Sequence, residues 1–226
     1  MAFQFLSRGL VYVAFIAIVA IGWLLKHRQS ANKHQAAETV SLDSAEAIRD
    51  ALKSPGWQTR LSAVKELAHQ HSPDNLNALV DLLSDADPSV RDVALDAILP
   101  YGESAVPGLV TVLEHGNLEA REAAAKALQH LHPGSAVLAL ITALAHDESA
   151  WVRVPAAQAL GAIATDEAAE ALIHALDDPH ADVVKAVRAA LTHIGTPDAL
   201  QALENHAARQ NAEPSSENNT DFLFLS

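Results

Sequence analysis

Apolar residues along most of this chain recur in blocks with a helical spacing. Val152, Ala156, Leu160 and Ile163 are separated by four, four and three residues, as are Ala120, Ala124, Leu128 and Leu131. That spacing follows the 3.6-residue turn and places the four side chains of each block on one helix face. Each block follows a shorter apolar stretch of the same kind: Leu79, Leu82 and Leu83; Leu109, Val112 and Leu113; Leu140, Ile141 and Leu144; Leu172, Ile173 and Leu176. The pattern predicts pairs of antiparallel helices.

The pairs repeat. With Arg60, Arg91, Arg121 and Arg153 as anchors, the copies are spaced by 31, 30 and 32 residues, and a fifth places Val184 at the anchor with Lys185 beside it. Three residues past the anchor stand Ala63, Ala94, Ala124, Ala156 and Val187. Seven past it stand Leu67, Ile98, Leu128, Leu160 and Leu191. A fixed period of this length carrying a helical pattern means stacked supersecondary units. The first copy is degenerate, with Thr59 and Gln70 on its core stripe, which suits an end unit facing solvent.

Punctuation agrees with this division. Ser72-Pro73, Asp87-Pro88, Asp178-Pro179 and Thr196-Pro197 each offer an N-cap followed by a proline at the first helical position. Gly102, Gly116, Gly134 and Gly195 fall in connections and suit helix stops. Pro155 lies inside its block and predicts a bend or a late helix start. Trp57 and Trp151 fall just before their anchors, in the expected turns within units, where they serve either as packing caps or as binding hot spots.

The succession Val-Arg, Ala-Ala, Ala-Leu-Gly, as in Val152-Arg153, Ala156-Ala157 and Ala159-Leu160-Gly161, resembles HEAT repeats, in particular the short variety known from phycobilisome lyases. The resemblance covers residues 45–210. It implies an all-α, right-handed α-α superhelix of about five helix pairs and a terminal helix near Asp198–Gln210. It also implies that second helices line the concave side, and that Arg60, Arg91, Arg121 and Arg153 make structural contacts between units. On that geometry the outward positions one and five residues past each anchor form the contact ridge: Asp92 and Asp96, Glu122 and Lys126, Val154 and Gln158, Lys185 and Ala189. The ridge begins acidic and becomes mixed or basic, which would orient a partner of opposite polarity.

The N-terminal run is of a different kind. Residues 9–25 are uncharged, 17 in succession, and are closed by Lys26-His27-Arg28. We read residues 9–25 as one uncleaved transmembrane helix in preference to a signal peptide or a core helix. Residues 1–8 then form a short tail and 26–43 a polar tether. Lys26, Arg28 and Lys33 outnumber Arg8 and the terminal amine by one charge, which puts the solenoid, residues 44–210, on the cytoplasmic side of a single-pass membrane protein, with the periplasmic or extracellular side as the alternative. At the other end, residues 211–226 read as a disordered polar tail. It closes on Phe222-Leu223-Phe224-Leu225, either a linear docking motif built on Phe222 and Phe224 or a cap over the last helix.

Composition narrows the function. Residues 45–210 hold 11 Lys or Arg against 23 Asp or Glu, within a chain of net charge −13. Such a surface repels phosphate backbones and argues against nucleic acid. Without cysteine there is no disulfide, thiolate metal site or Cys nucleophile. Among 12 histidines, His69, His130 and His193 share one repeat position in alternate units. Packed helices lie about 8–10 Å apart, so these rings stand roughly 20 Å from one another and cannot share a zinc ion. Histidine there instead complements a helix C-terminus. His146-Asp147-Glu148 is too contiguous to converge on one metal. A HEAT-repeat di-iron hydroxylase family uses His-Glu dipeptides, and this chain has none.

No catalytic residue, metal ligand or cofactor site is assigned. The expectation is a membrane-anchored, non-catalytic adaptor, held to the bilayer through residues 9–25, that binds another protein through its repeat surface. The alternative is a bilin lyase-like enzyme or enzyme subunit.

Overall fold

The computed structural model describes residues 44–212, His71 excepted. Among them are helices and their connections, and no strand. Paired helices follow one another in order: α1 (Ala45–Leu52) with α2 (Trp57–Gln70), α3 (Leu76–Asp81) with α4 (Pro88–Ile98), α5 (Val106–His115) with α6 (Leu118–Leu131). Then come α7 (Val137–His146) with α8 (Ala150–Ile163), α9 (Asp166–His174) with α10 (Ala181–Ile194), and a last helix, α11 (Pro197–Ala212). The chain is an all-α helical repeat solenoid. From Ile48 onward it forms one compact unit; of the other unit, Met1–Ala47, only residues 44–47 are described.

The repeat stripe becomes the core. Ala124, Ala156 and Val187, three residues past their anchors, are fully buried, as are Ile98, Leu128, Leu160 and Leu191, seven past. From the first helices Leu79, Leu83, Leu109, Leu140 and Leu172 meet them with no exposure. Leucine facing alanine lets helices approach closely, and each buried leucine contributes roughly 1.5–3 kcal/mol over leaving it in water.

One contact shows how close that approach is. A Cβ on Gly161 of α8 would stand 2.4 Å from the Cβ of Ala190 on α10 and 2.8 Å from its Cα. Both second helices therefore need their smallest residues at this crossing.

Caps mark the unit boundaries. Asp87 accepts from the Ser89 N–H, Asn117 from Ala120, Ser149 from Trp151, Thr165 from Ala168 and Thr196 from Ala199. At the other ends of α6, α8 and α10, His132, Ala164 and Gly195 turn left-handed and donate N–H to the carbonyls of Leu128, Leu160 and Leu191. Gly195 adopts φ +65° without steric cost, whereas His132 and Ala164 do so with a Cβ in place.

Several expectations change. Asp178 does not cap a helix beginning at Pro179: α10 starts at Ala181 with His180 as its cap, because the Asp178 carboxylate is committed to an arginine. Ser72 makes no side-chain cap, and Gly134 opens a 3-10 turn. The α8 helix does not start late. It begins at Ala150 and runs through Pro155, since Ser149 caps it six residues before the proline and the proline is buried. Trp57 and Trp151 are in the first turns of α2 and α8, so neither is a turn residue.

The single-pass membrane localisation is corrected. Among the described residues no helix is long and apolar enough to cross a membrane. The expected span, residues 9–25, lies outside the described residues, as do most of the tether and Phe222 and Phe224. Membrane anchoring, its orientation and the bilayer as a partner are dropped.

Candidate functional site

Two features stand out on the repeat frame: a ladder of arginines between units, and a groove between two second helices.

The ladder is built from side chains the repeat places at fixed points. Arg60 grips Asp85 with Nε and Nη2, both at 2.7 Å, and donates from Nη1 to the Ser54 carbonyl. Arg153 holds Asp178 in the same forked manner, at 2.8 and 2.9 Å, and its Nη1 reaches the Asp147 carbonyl at 2.8 Å. Arg121 binds Asp147 and reaches out to Glu148. Each aspartate belongs to the turn within the next unit and also accepts an N–H two residues on, from Asp87, Ser149 or His180. Each rung thereby ties one unit's second helix to the following unit's turn. Arg91 differs: among the described residues its hydrogen-bond partners are the carbonyls of Asp85 and Ala86.

Electrostatics follow from the geometry. The Arg60 hydrogen bond, with the Asp87 N–H, holds the Asp85 carboxyl below the usual carboxylate range despite burial. At Asp178 burial is the largest influence and pushes upward, but the Arg153 hydrogen bond and charge and the His180 N–H together outweigh it, so the net shift is downward. Arg60 and Arg121 are raised, each first by the hydrogen bond to its aspartate. A carboxyl with a lower pKa folded than unfolded stabilises fully above its unfolded value, about 3.9, and stops doing so as pH falls through the folded one. The melting temperature should therefore drop on acidification below about pH 4. The double variant Asp85→Asn, Asp178→Asn should show a shallower acid limb in circular-dichroism melts. An unchanged limb would assign acid sensitivity to other carboxylates.

The groove lies between α8 and α10 and encloses about 420 Å³. Trp151, Val154 and Gln158, at i, i+3 and i+7 on α8, form one wall; His180, Lys185 and Ala189 line the other. Trp151 is 69% exposed, a large aromatic surface in water. Asp182 and Lys185 put both signs of charge at the α10 wall.

Of the expected ridge, Val154, Gln158, Lys185 and Ala189 come together in this groove. Asp92, Asp96 and Lys126 are exposed but do not line it, and half-buried Glu122 accepts from Lys126 at 2.6 Å. Trp151, His180 and Asp182 were not among the ridge positions. Trp151 had a signal, since it lies three residues before Val154 and hence on the same helix face. Among the described residues no three His, Asp or Glu side chains cluster to hold a metal.

The comparisons agree with the geometry. The family model for HEAT repeats matches residues 12–99, 45–129, 106–192 and 137–215. Its first match begins inside the apolar N-terminal run. None of the curated proteins matches this chain. Among solved structures, the complex of CpcE and CpcF of phycocyanin lyase from a Nostoc species is similar with a TM-score of 0.56 and 24% identity, over 65% of this chain and 94% of that one. At that identity the likeness speaks to the fold. Human deoxyhypusine hydroxylase (TM-score 0.47, 31% identity, 53% of this chain and 43% of that) and a designed armadillo repeat protein (TM-score 0.45, 25% identity, 76% and 92%) are more distant in shape.

Proposed function

Because the chain belongs to the HEAT-repeat family, we propose that it is a non-catalytic adaptor that binds another protein, with the α8–α10 groove as its central contact. One observation carries this reading: Trp151, 69% exposed, stands at the wall of an otherwise largely apolar groove formed by two adjacent repeats. Exposed aromatics that a partner can desolvate carry a disproportionate share of interface energy. Gln158 and Lys185 would orient the partner, and Asp92, Asp96, Glu122 and Lys126 would extend the surface along neighbouring second helices. Arg60, Arg121 and Arg153 keep the units in register, Arg91 braces its own unit's turn, and none of the four takes part in binding.

The test places a photo-crosslinking amino acid at Gln158 in the full chain, in the cells that make it. A discrete protein adduct is expected from Gln158, and none from the same group at Leu138, which is 77% exposed on α7. Trp151→Ala should remove the adduct. Equal adducts from both positions would defeat the reading. A bilin lyase-like role, which the fold likeness keeps as the second reading, would instead show as visible absorption from bound tetrapyrrole in the purified protein.

A further inference from the structure

We propose that the α8–α10 groove is filled from within the same chain by residues 221–225, Asp-Phe-Leu-Phe-Leu, so that a partner enters only by displacing them. This rests on the groove being the binding surface.

The first support is where the chain leaves the array. A tight turn at Gly195-Thr196 sends α11 back along α10. Near its end, Arg209 Nη1 lies 3.3 Å from Asp177, and the buried His206 is 4.0 Å from the same carboxylate. Asp177 precedes His180, which lines the groove, by three residues, at most about 11 Å of chain. The exit at Ala212 thus falls towards the N-terminal end of α10, the end that carries the groove residues His180 and Asp182. Residues 213–220, eight in number, reach up to about 29 Å when extended.

The second support is chemical complementarity. Phe222-Leu223-Phe224-Leu225 is an uninterrupted apolar run after a polar stretch. The groove offers Trp151, Val154, Ala186 and Ala189 to it. Aromatic rings packed against Trp151 gain beyond the area they bury. Asp221 leads the run, and Lys185 at the wall is exposed with no ion pair among the described residues. A short tether sets an effective concentration of order mM, so a contact with a dissociation constant of about 0.1 mM keeps the groove about nine-tenths occupied.

The experiment uses the full chain labelled with 5-fluorotryptophan, whose Trp23, Trp57 and Trp151 resonances are assigned by single Trp→Phe replacements. Phe222→Ala with Phe224→Ala should move the Trp151 fluorine resonance and leave that of Trp57 in place. The same double variant should bind a fluorescein-labelled peptide of residues 221–226 about tenfold more tightly than the unmodified chain, since the self-occupied fraction no longer competes. Trp151→Ala in that background should abolish peptide binding. Equal peptide affinities, or an unmoved Trp151 resonance, would overturn the proposal. A Trp151 shift that grows with protein concentration would mean a second copy's tail and would overturn the intramolecular form. If tail variants have no effect while Gln158 still captures another protein, only this proposal falls. If Trp151 responds to the tail and Gln158 captures nothing, the adaptor reading falls and with it displacement by a partner, while the occupied groove remains.

Discussion

Replacing Arg153 with alanine should destabilise the array by about 4 kcal/mol, within the range for removing one partner of a buried ion pair. Arg153 is 9% exposed, with Asp178 and the Asp147 carbonyl as partners. Truncation leaves the Asp178 carboxylate, 8% exposed, with the His180 N–H as its remaining hydrogen bond. It also strands the Asp147 carbonyl and opens space beneath the α8–α10 contact. For a domain of this size the loss corresponds to a melting temperature lower by on the order of 10 °C. Urea unfolding followed by helical circular dichroism measures it. A second variant separates charge from packing: Arg153→Met with Asp178→Asn removes both charges, keeps an acceptor for His180, and should recover most of the stability, because paired removal costs far less than stranding one charge. A loss under 1 kcal/mol for Arg153→Ala would mean that the pair acts as a surface salt bridge does.

Gly161→Ala should cost about 2 kcal/mol, although alanine is the better helix former. Propensity alone favours the change by about 1 kcal/mol. Against it, the new methyl would stand 2.4 Å from the Ala190 Cβ and 2.8 Å from its Cα. A backbone atom cannot rotate aside, so α8 and α10 must separate, and overpacking of this kind costs typically 1–3 kcal/mol beyond any gain. Ala190→Gly should be destabilising alone, yet the double variant should be more stable than the two single effects summed. A double-mutant cycle reads that coupling directly. Strict additivity would show that the two helices do not meet at this crossing.

The repeat period and the buried stripe were legible because both are local: a helix writes its buried face into spacings of three and four residues. The anchors were legible for the same reason. Their partners were not. Asp85, Asp147 and Asp178 lie 25 or 26 residues beyond their arginines, in the next unit's turn, and Asp178-Pro179 reads locally as a helix cap. Only stacking reveals that the carboxylate is already engaged. Gly161 closed a recognisable motif, but its reason stands on α10, about one period away. The groove was half legible: four outward positions were named, and Trp151, read as a packing cap or a hot spot in a turn, was not joined to them because its helix begins one turn sooner than Pro155 suggested. The single-pass localisation read from the apolar N-terminal run gained no support from the fold, since among the described residues no helix is long and apolar enough to cross a membrane.

The arginine ladder has one missing rung. Six residues before the anchor, where units two, four and five carry Asp85, Asp147 and Asp178, unit three has His115, and the Arg91 guanidinium turns back to its own unit's carbonyls. Units one and two are pinned by Arg60, and units three, four and five by Arg121 and Arg153, leaving the joint between α4 and α6 to apolar packing alone among these links. In mechanical terms the array is two stiff segments in series with a compliant coupling. Twist or bending imposed by a partner would concentrate at that joint, and the α8–α10 groove, wholly within the second segment, would keep its shape while the first segment moves.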